Sequence, residues 1–223
     1  MIRHALAIAA KDLRVELRVR EVVPTMTLFA ALVAILASMS LYVDEETSAK
    51  VAPGVLWIAI AFSGTLGLSR TWGREREEGA LRAVLLSRAS PASIFLGKGL
   101  GALAFVLVTE LVVTPLVALL LHAPVLDHLG PFTALVFLGT VGFVSAGTLF
   151  GALVAKTRAR DLLLAVVLYP LVSPALLCGV VATRDLLGGT PVAQLYDWFR
   201  MLVIFDLVFI GGGVGLLGVL LAD

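Results

Sequence analysis

Residues 94–121 read IFLGKGLGALAFVLVTELVVTPLVALLL, and Lys98 and Glu110 carry the only charges in the run. Its apolar positions follow one another continuously, whereas a membrane barrel strand alternates faces over about ten residues. A run of this kind predicts a helix across a bilayer, because one crossing takes about 20 apolar residues at a rise of about 1.5 Å each. Five more stretches have the same character, at 22–43, 53–69, 131–155, 161–183 and 199–221. Together they predict an all-α integral membrane protein with six transmembrane helices. Composition agrees: 60% of the 223 residues are hydrophobic, 15% are charged and the mean hydropathy is +1.03. A soluble domain has about 45–50% apolar content.

Six crossings use up most of the chain, so residues 1–223 are read as one domain. The single cysteine, Cys178, lies in an apolar run and reads as a small buried hydrophobe, with no CxxC and no disulfide framework. The first apolar run, 22–43, exceeds the 7–15-residue core of a cleavable signal and is expected to be permanent. Ahead of it, residues 1–21 place Ile2, Leu6, Ala9, Leu13 and Leu17 on one helical stripe and Lys11, Arg14 and Arg18 on another. That pattern predicts a helix lying in the membrane interface with its basic side toward lipid headgroups.

Lys and Arg set the expected orientation. Five of them fall in residues 1–21, six between Arg70 and Lys98 and three in KTRAR at 156–160; Lys50, Arg184 and Arg200 remain. Fourteen against three predicts cytoplasmic termini and outward-facing loops at 44–50 and 122–130. The outer segment 184–198 is moderately apolar, and it reads either as an exposed turn with Tyr196 and Trp198 as interfacial anchors or as a segment dipping into the bilayer. Pro115, Pro170 and Pro174 fall inside spans and predict kinks or breaks. Gly97 with Gly101, Gly147 with Gly151 and Gly211 with Gly215 are small-xxx-small pairs that allow helices to approach closely.

Sites for chemistry are scarce. There is no GxxxxGK[ST] loop, and the GxGxxG match at Gly213, Gly215 and Gly218 lies inside a span, where helix packing explains it better than a dinucleotide. His4, His122 and His128 have no metal-binding spacing; His122 and His128 share an outer loop and are weak candidates for ligating haem iron. Glu110 and Asp206 sit inside spans, where an ionised group costs about 2.5–3.5 kcal/mol on insertion scales, so both are expected to face the bundle interior. They read as a polar path for a substrate or proton, or equally as structural groups, with Thr109, Thr114 or a freed carbonyl as partner for Glu110. No catalytic residues, bound cofactor, metal or nucleic-acid site is expected.

The remaining polar stretch, SRTWGREREEGALRAVLLSRASP at 69–91, joins the second and third spans. Leu81, Val84 and Leu85 form an apolar patch, Glu78 precedes Arg82 by four residues, and Gly79 is expected to divide two short helices. A short helix with such a patch and a mixed-charge rim suits docking on another protein; the plain alternative is a solvated loop.

The stretch EREEGALRAVLLSRASPASIFLGK, from Glu75 to Lys98, resembles the coupling segment of ABC-2-type permeases, with an acid, a Gly and a Leu ahead of a Pro and a Gly-Lys opening the third span. APGVLWIAIAFSGTLGLSR at 52–70, LGTVGFVSAGTLFGALV at 138–154 and LLLAVVLYPLVSPALL at 162–177, with the amphipathic KDLRVELRVRE at 11–21, resemble the CcmB family, the permease subunit of the ABC system for cytochrome c maturation. The resemblance implies an ABC-2-like permease bundle in the bacterial inner membrane that is not itself an enzyme. Its implied partners are a second copy of itself, two cytoplasmic ATPase subunits that use ATP, a haem-handling membrane subunit and a small accessory one, with haem as cargo of the complex. It assigns the segment 70–91 to ATPase coupling, through Trp72, Arg74, Glu75, Glu78, Gly79, Leu81, Arg82 and Leu85. An ABC-2 exporter of a lipid, glycan or drug, or a proton-coupled carrier using Glu110 and Asp206, is the alternative.

Overall fold

The computed structural model describes residues 1–40, 45–77, 90–154 and 160–222. These form seven α-helices: α1 (Ile2–Val19), α2 (Val22–Ser40), α3 (Glu45–Glu77), α4 (Pro91–Leu120), α5 (Leu129–Val154), α6 (Arg160–Leu187) and α7 (Tyr196–Ala222). Six of them, α2 to α7, are long and apolar enough to cross a membrane, and no strand occurs among the described residues.

The helix ends correct several expected boundaries. The second span was expected at 53–69, but α3 runs from Glu45 to Glu77, so residues 45–50 are helix and not loop. Hydropathy marks where a helix enters hydrocarbon, while backbone hydrogen bonding carries the helix on into water. Similarly, α6 extends to Leu187 and α7 begins at Tyr196, leaving a turn and the 3-10 segment Val192–Leu195 between them. The connection is thus a compact turn. No break appears at the prolines either: α4 passes through Pro115, and α6 through Pro170 and Pro174. Pro174 cannot donate to the Pro170 carbonyl, and the Ser173 hydroxyl donates to that carbonyl instead, at 2.8 Å.

The bundle is organised around α3 and α5, most of whose membrane windows are buried, whereas α2, α4, α6 and α7 keep much of their surface outward. The two central helices lie parallel and interlock through missing side chains. A Cβ on Gly139 would overlap Trp57, one on Gly147 would overlap Leu68, and one on Gly151 would lie 2.5 Å from Trp72 Cδ1. Phe143 of α5 answers by filling the notch at Gly64 of α3. Trp57 also presses on Gly179 of α6, and its indole Nε1 donates to Thr183 Oγ1 at 3.2 Å. Close backbone approach of this kind substitutes for the hydrophobic drive that lipid cannot supply. Of the other glycine pairs, Gly97 and Gly101 seat α1 against α4. Gly211 and Gly215 face open space, and Gly213 between them takes Phe95. Cys178 is buried, with its thiol 3.5 Å from the Trp198 carbonyl.

Candidate functional site

The N-terminal helix builds one end of the bundle. Along α1, Ala5, Ala9, Asp12 and Glu16 are buried, while Ile2, Leu6, Leu13 and Leu17 are exposed. The expected apolar stripe therefore exists, but only Ala9 of it faces protein. The neighbouring face, small residues followed by acids, is the one that packs, because Gly97 of α4 leaves no room beyond Ala5 and Ile8. Arg20 ends α1 in a left-handed conformation with φ 56°. The Glu16 carboxylate then reaches past it to accept from Val23 N at 2.9 Å, capping α2.

Lys98 lies two turns inside α4, 2% exposed, with its Nζ donating to Asp12 Oδ2 at 2.9 Å. On the other side its ammonium stands 6.0 Å from the ring centroid of Trp72, itself buried near the end of α3 and seated on Gly151 of α5. Lys11 approaches the second Asp12 oxygen at 3.3 Å from a half-exposed position. Ser90 caps α4 ahead of Pro91, and Ser93 Oγ donates to the Met1 carbonyl at 3.1 Å. A further ion pair links Glu21 to Arg70 at the surface. Four helices, α1, α3, α4 and α5, are thus fastened where the charged stretch leaves α3 and returns as α4.

Two basic groups of the sequence, residues 1–21 and the region from Arg70 to Lys98, meet at this one end through the Glu21–Arg70 and Asp12–Lys98 pairs. Of the eight expected coupling residues, Trp72 sits in the fastening. Arg74 and Glu75 fall in the last turns of α3, with their side chains outside the described residues. Glu78, Gly79, Leu81, Arg82 and Leu85 lie wholly outside the described residues, as does the Val84 patch.

The intramembrane acids find different surroundings. Glu110 accepts a hydrogen bond from Thr140 of α5, and not from Thr109, which turns back to the Phe105 carbonyl, nor from Thr114. Asp206 of α7 abuts Gly142, and its Oδ1 has no hydrogen-bond partner among the described residues. Positions 140 and 142 are about 200° apart around a helix, so the two acids meet opposite faces of α5. His122 is exposed with φ 53°, and His128 closes the 3-10 segment Val125–His128. Among the described residues no group of three or more His, Cys, Asp or Glu side chains could hold a metal ion.

Sequence reasoning missed Asp12 with its Lys98 partner and Glu16 with its cap on α2. The signal was present: positions 5, 9, 12 and 16 share one helical face, and two acids on a face otherwise made of alanine need buried partners.

The family described as "CcmB protein" matches residues 3–211. Among similar proteins is the heme exporter protein B of Paracoccus denitrificans, 29% identical over 197 residues that cover 85% of this chain and 87% of that one. The heme exporter protein B of Bradyrhizobium diazoefficiens is 26% identical over 183 residues, 82% of each chain. That of Rhodobacter capsulatus is 29% identical over 181 residues, 80% of this chain and 81% of its own.

Proposed function

The chain belongs to the CcmB protein family, and from that premise we propose that it is the membrane subunit of a haem-export system serving cytochrome c maturation, driven by a separate ATPase. It sits in a bacterial inner membrane with both termini cytoplasmic, pairs with a second copy, and works beside a haem-handling subunit and a small accessory one. The relatives' names support the cargo, and the excess of Lys and Arg on one side supports the orientation.

One observation carries the coupling role. Trp72 and Lys98 bracket the charged stretch, and both are locked into a single buried fastening with Asp12. A push on the intervening residues cannot be absorbed as loop motion at either end, since both exits are packed. It passes instead to α3 and α4, to α1 through the ion pair, and to α5 through the Trp72–Gly151 contact. Packed interfaces of this kind shift between discrete arrangements and do not yield continuously.

The test places replacements in the segment itself. Glu78→Lys, Gly79→Trp and Leu81→Asp are each expected to lower co-purification of the ATPase and its stimulated turnover by about tenfold, which corresponds to about 1.4 kcal/mol of docking energy. Membrane insertion should be unchanged. Full association in all three variants would overturn the docking role, and undiminished c-type cytochromes in a strain lacking this chain would overturn the cargo.

A further inference from the structure

At the end of the bundle away from the charged stretch, α4 and α5 diverge and enclose a cleft of about 650 Å³, roofed by Ala123 and Val125 of the connecting turn. Its walls are almost wholly apolar, with Leu107, Phe132 and Val136 among them. Three polar groups interrupt them. Thr133 is already satisfied by the Leu129 and Gly130 carbonyls at 2.8 and 2.9 Å. Glu110 and Thr114 are not so closed off: Glu110, 6% exposed, uses one carboxyl oxygen for Thr140, and the half-buried Thr114 makes no hydrogen bond among the described residues. Pro115 lines the same wall. Lacking an N–H, it leaves the Leu111 carbonyl one turn earlier without its helical donor. Glu110, Thr114 and the Leu111 carbonyl freed by Pro115 are therefore the open polar groups of residues lining an otherwise oily space.

We propose that this cleft binds a small amphiphile, a molecule with one long apolar body and a hydrogen-bond-donating head that reaches Glu110 and the Leu111 carbonyl. The volume falls inside the range of about 300–1,000 Å³ typical of small-molecule sites, which are apolar with a few placed polar groups and commonly lie between the helices of bundles. The exposed Leu111, Leu119 and Leu126 at the margin leave the cleft open sideways, so a ligand enters from the hydrocarbon layer.

The probe is diazirine-tagged hexadecanol, photolysed with the purified full chain in lipid nanodiscs, and the adducts are mapped by peptide mass spectrometry. Adducts are expected to concentrate on 107–119 and 126–137. Ala118→Trp, which fills the cleft from a partly exposed position, should remove about nine-tenths of them. Glu110→Ala should cost about tenfold, as loss of a hydrogen bond to a carboxyl implies, whereas Glu110→Gln keeps an acceptor and should stay within about threefold. Leu28→Trp, on the outer face of α2, should change nothing and so reports any general disturbance. Displacement of the probe by untagged hexadecanol supports the site, whereas displacement by added haem but not by hexadecanol would overturn the amphiphile as occupant. Adducts spread evenly over the lipid-facing helices, or insensitive to Ala118→Trp, would overturn it. No ATPase is needed for this measurement, so its outcome is independent of the coupling proposal.

Discussion

Lys98→Ala is expected to destabilise the chain by about 3–5 kcal/mol, the cost of leaving one member of a buried ion pair without the other. Among the described residues, the Asp12 carboxylate, 8% exposed, would keep the peripheral Lys11 at 3.3 Å. Asp12→Ala should also destabilise, because it removes the carboxylate that accepts from an ammonium only 2% exposed. The double variant Asp12→Leu with Lys98→Met should recover most of the loss, since a buried pair replaced by apolar groups of similar volume is often neutral. Thermal unfolding of the purified protein reads the stability, and a double-mutant cycle isolates the pair. Function separates from stability at this point. If the fastening transmits the ATPase stroke, the double variant should fold yet still fail in haem delivery, read as c-type cytochrome content. Single variants as stable as the parent would show that the pair is not buried in the working protein.

Gly139→Ala carries the second large effect, and its sign is opposite to the usual one. Alanine in place of a helical glycine ordinarily stabilises by about 1 kcal/mol. At position 139 the added methyl would overlap the Trp57 ring, which has little room to retreat, because the same ring also packs on Gly179 and its indole nitrogen is tied to Thr183 at 3.2 Å. Overpacking costs about 1–3 kcal/mol when neighbours can shift, and here the full loss is expected, with larger residues preventing assembly. Gly211→Ala provides the contrast. Its Cβ would meet nothing within 4 Å, so the ordinary gain of up to about 1 kcal/mol should appear. Equal responses at the two positions would show that the interlocking of α3 and α5 does not limit stability.

Both predictions depend on which glycines and charges are buried, and that was the least legible part of the sequence. The glycine pairs illustrate it. Gly147–Gly151 and Gly211–Gly215 have the same spacing and equally apolar surroundings, yet the first seats Leu68 and Trp72 while the second faces outward. Spacing states that a helix can be approached closely; it does not state from where. Span ends were partly legible for a related reason. The 17 residues expected at 53–69 belong to a helix of 33, because polar residues at either end leave the bilayer without leaving the helix. The N-terminal helix was read on its largest residues, and in a membrane the largest apolar residues are free to face lipid. Its packing face was the one with alanines and acids.

Long uninterrupted apolar runs determined the number and order of the spans, and the asymmetry of Lys and Arg determined the expected sidedness, because both follow from transfer of residues between water and hydrocarbon. That transfer is a property of each segment alone. Tertiary structure decided that Asp12 and Lys98, 86 positions apart, share one buried contact beneath Trp72. It also decided that Glu110 and Asp206 lie on different faces of α5 and that a cleft opens between α4 and α5. These depend on how helices are rotated about their axes, and lipid, equally hospitable to every apolar face, imposes no rotation; only the fit of side chains into neighbouring notches and the pairing of buried charges do.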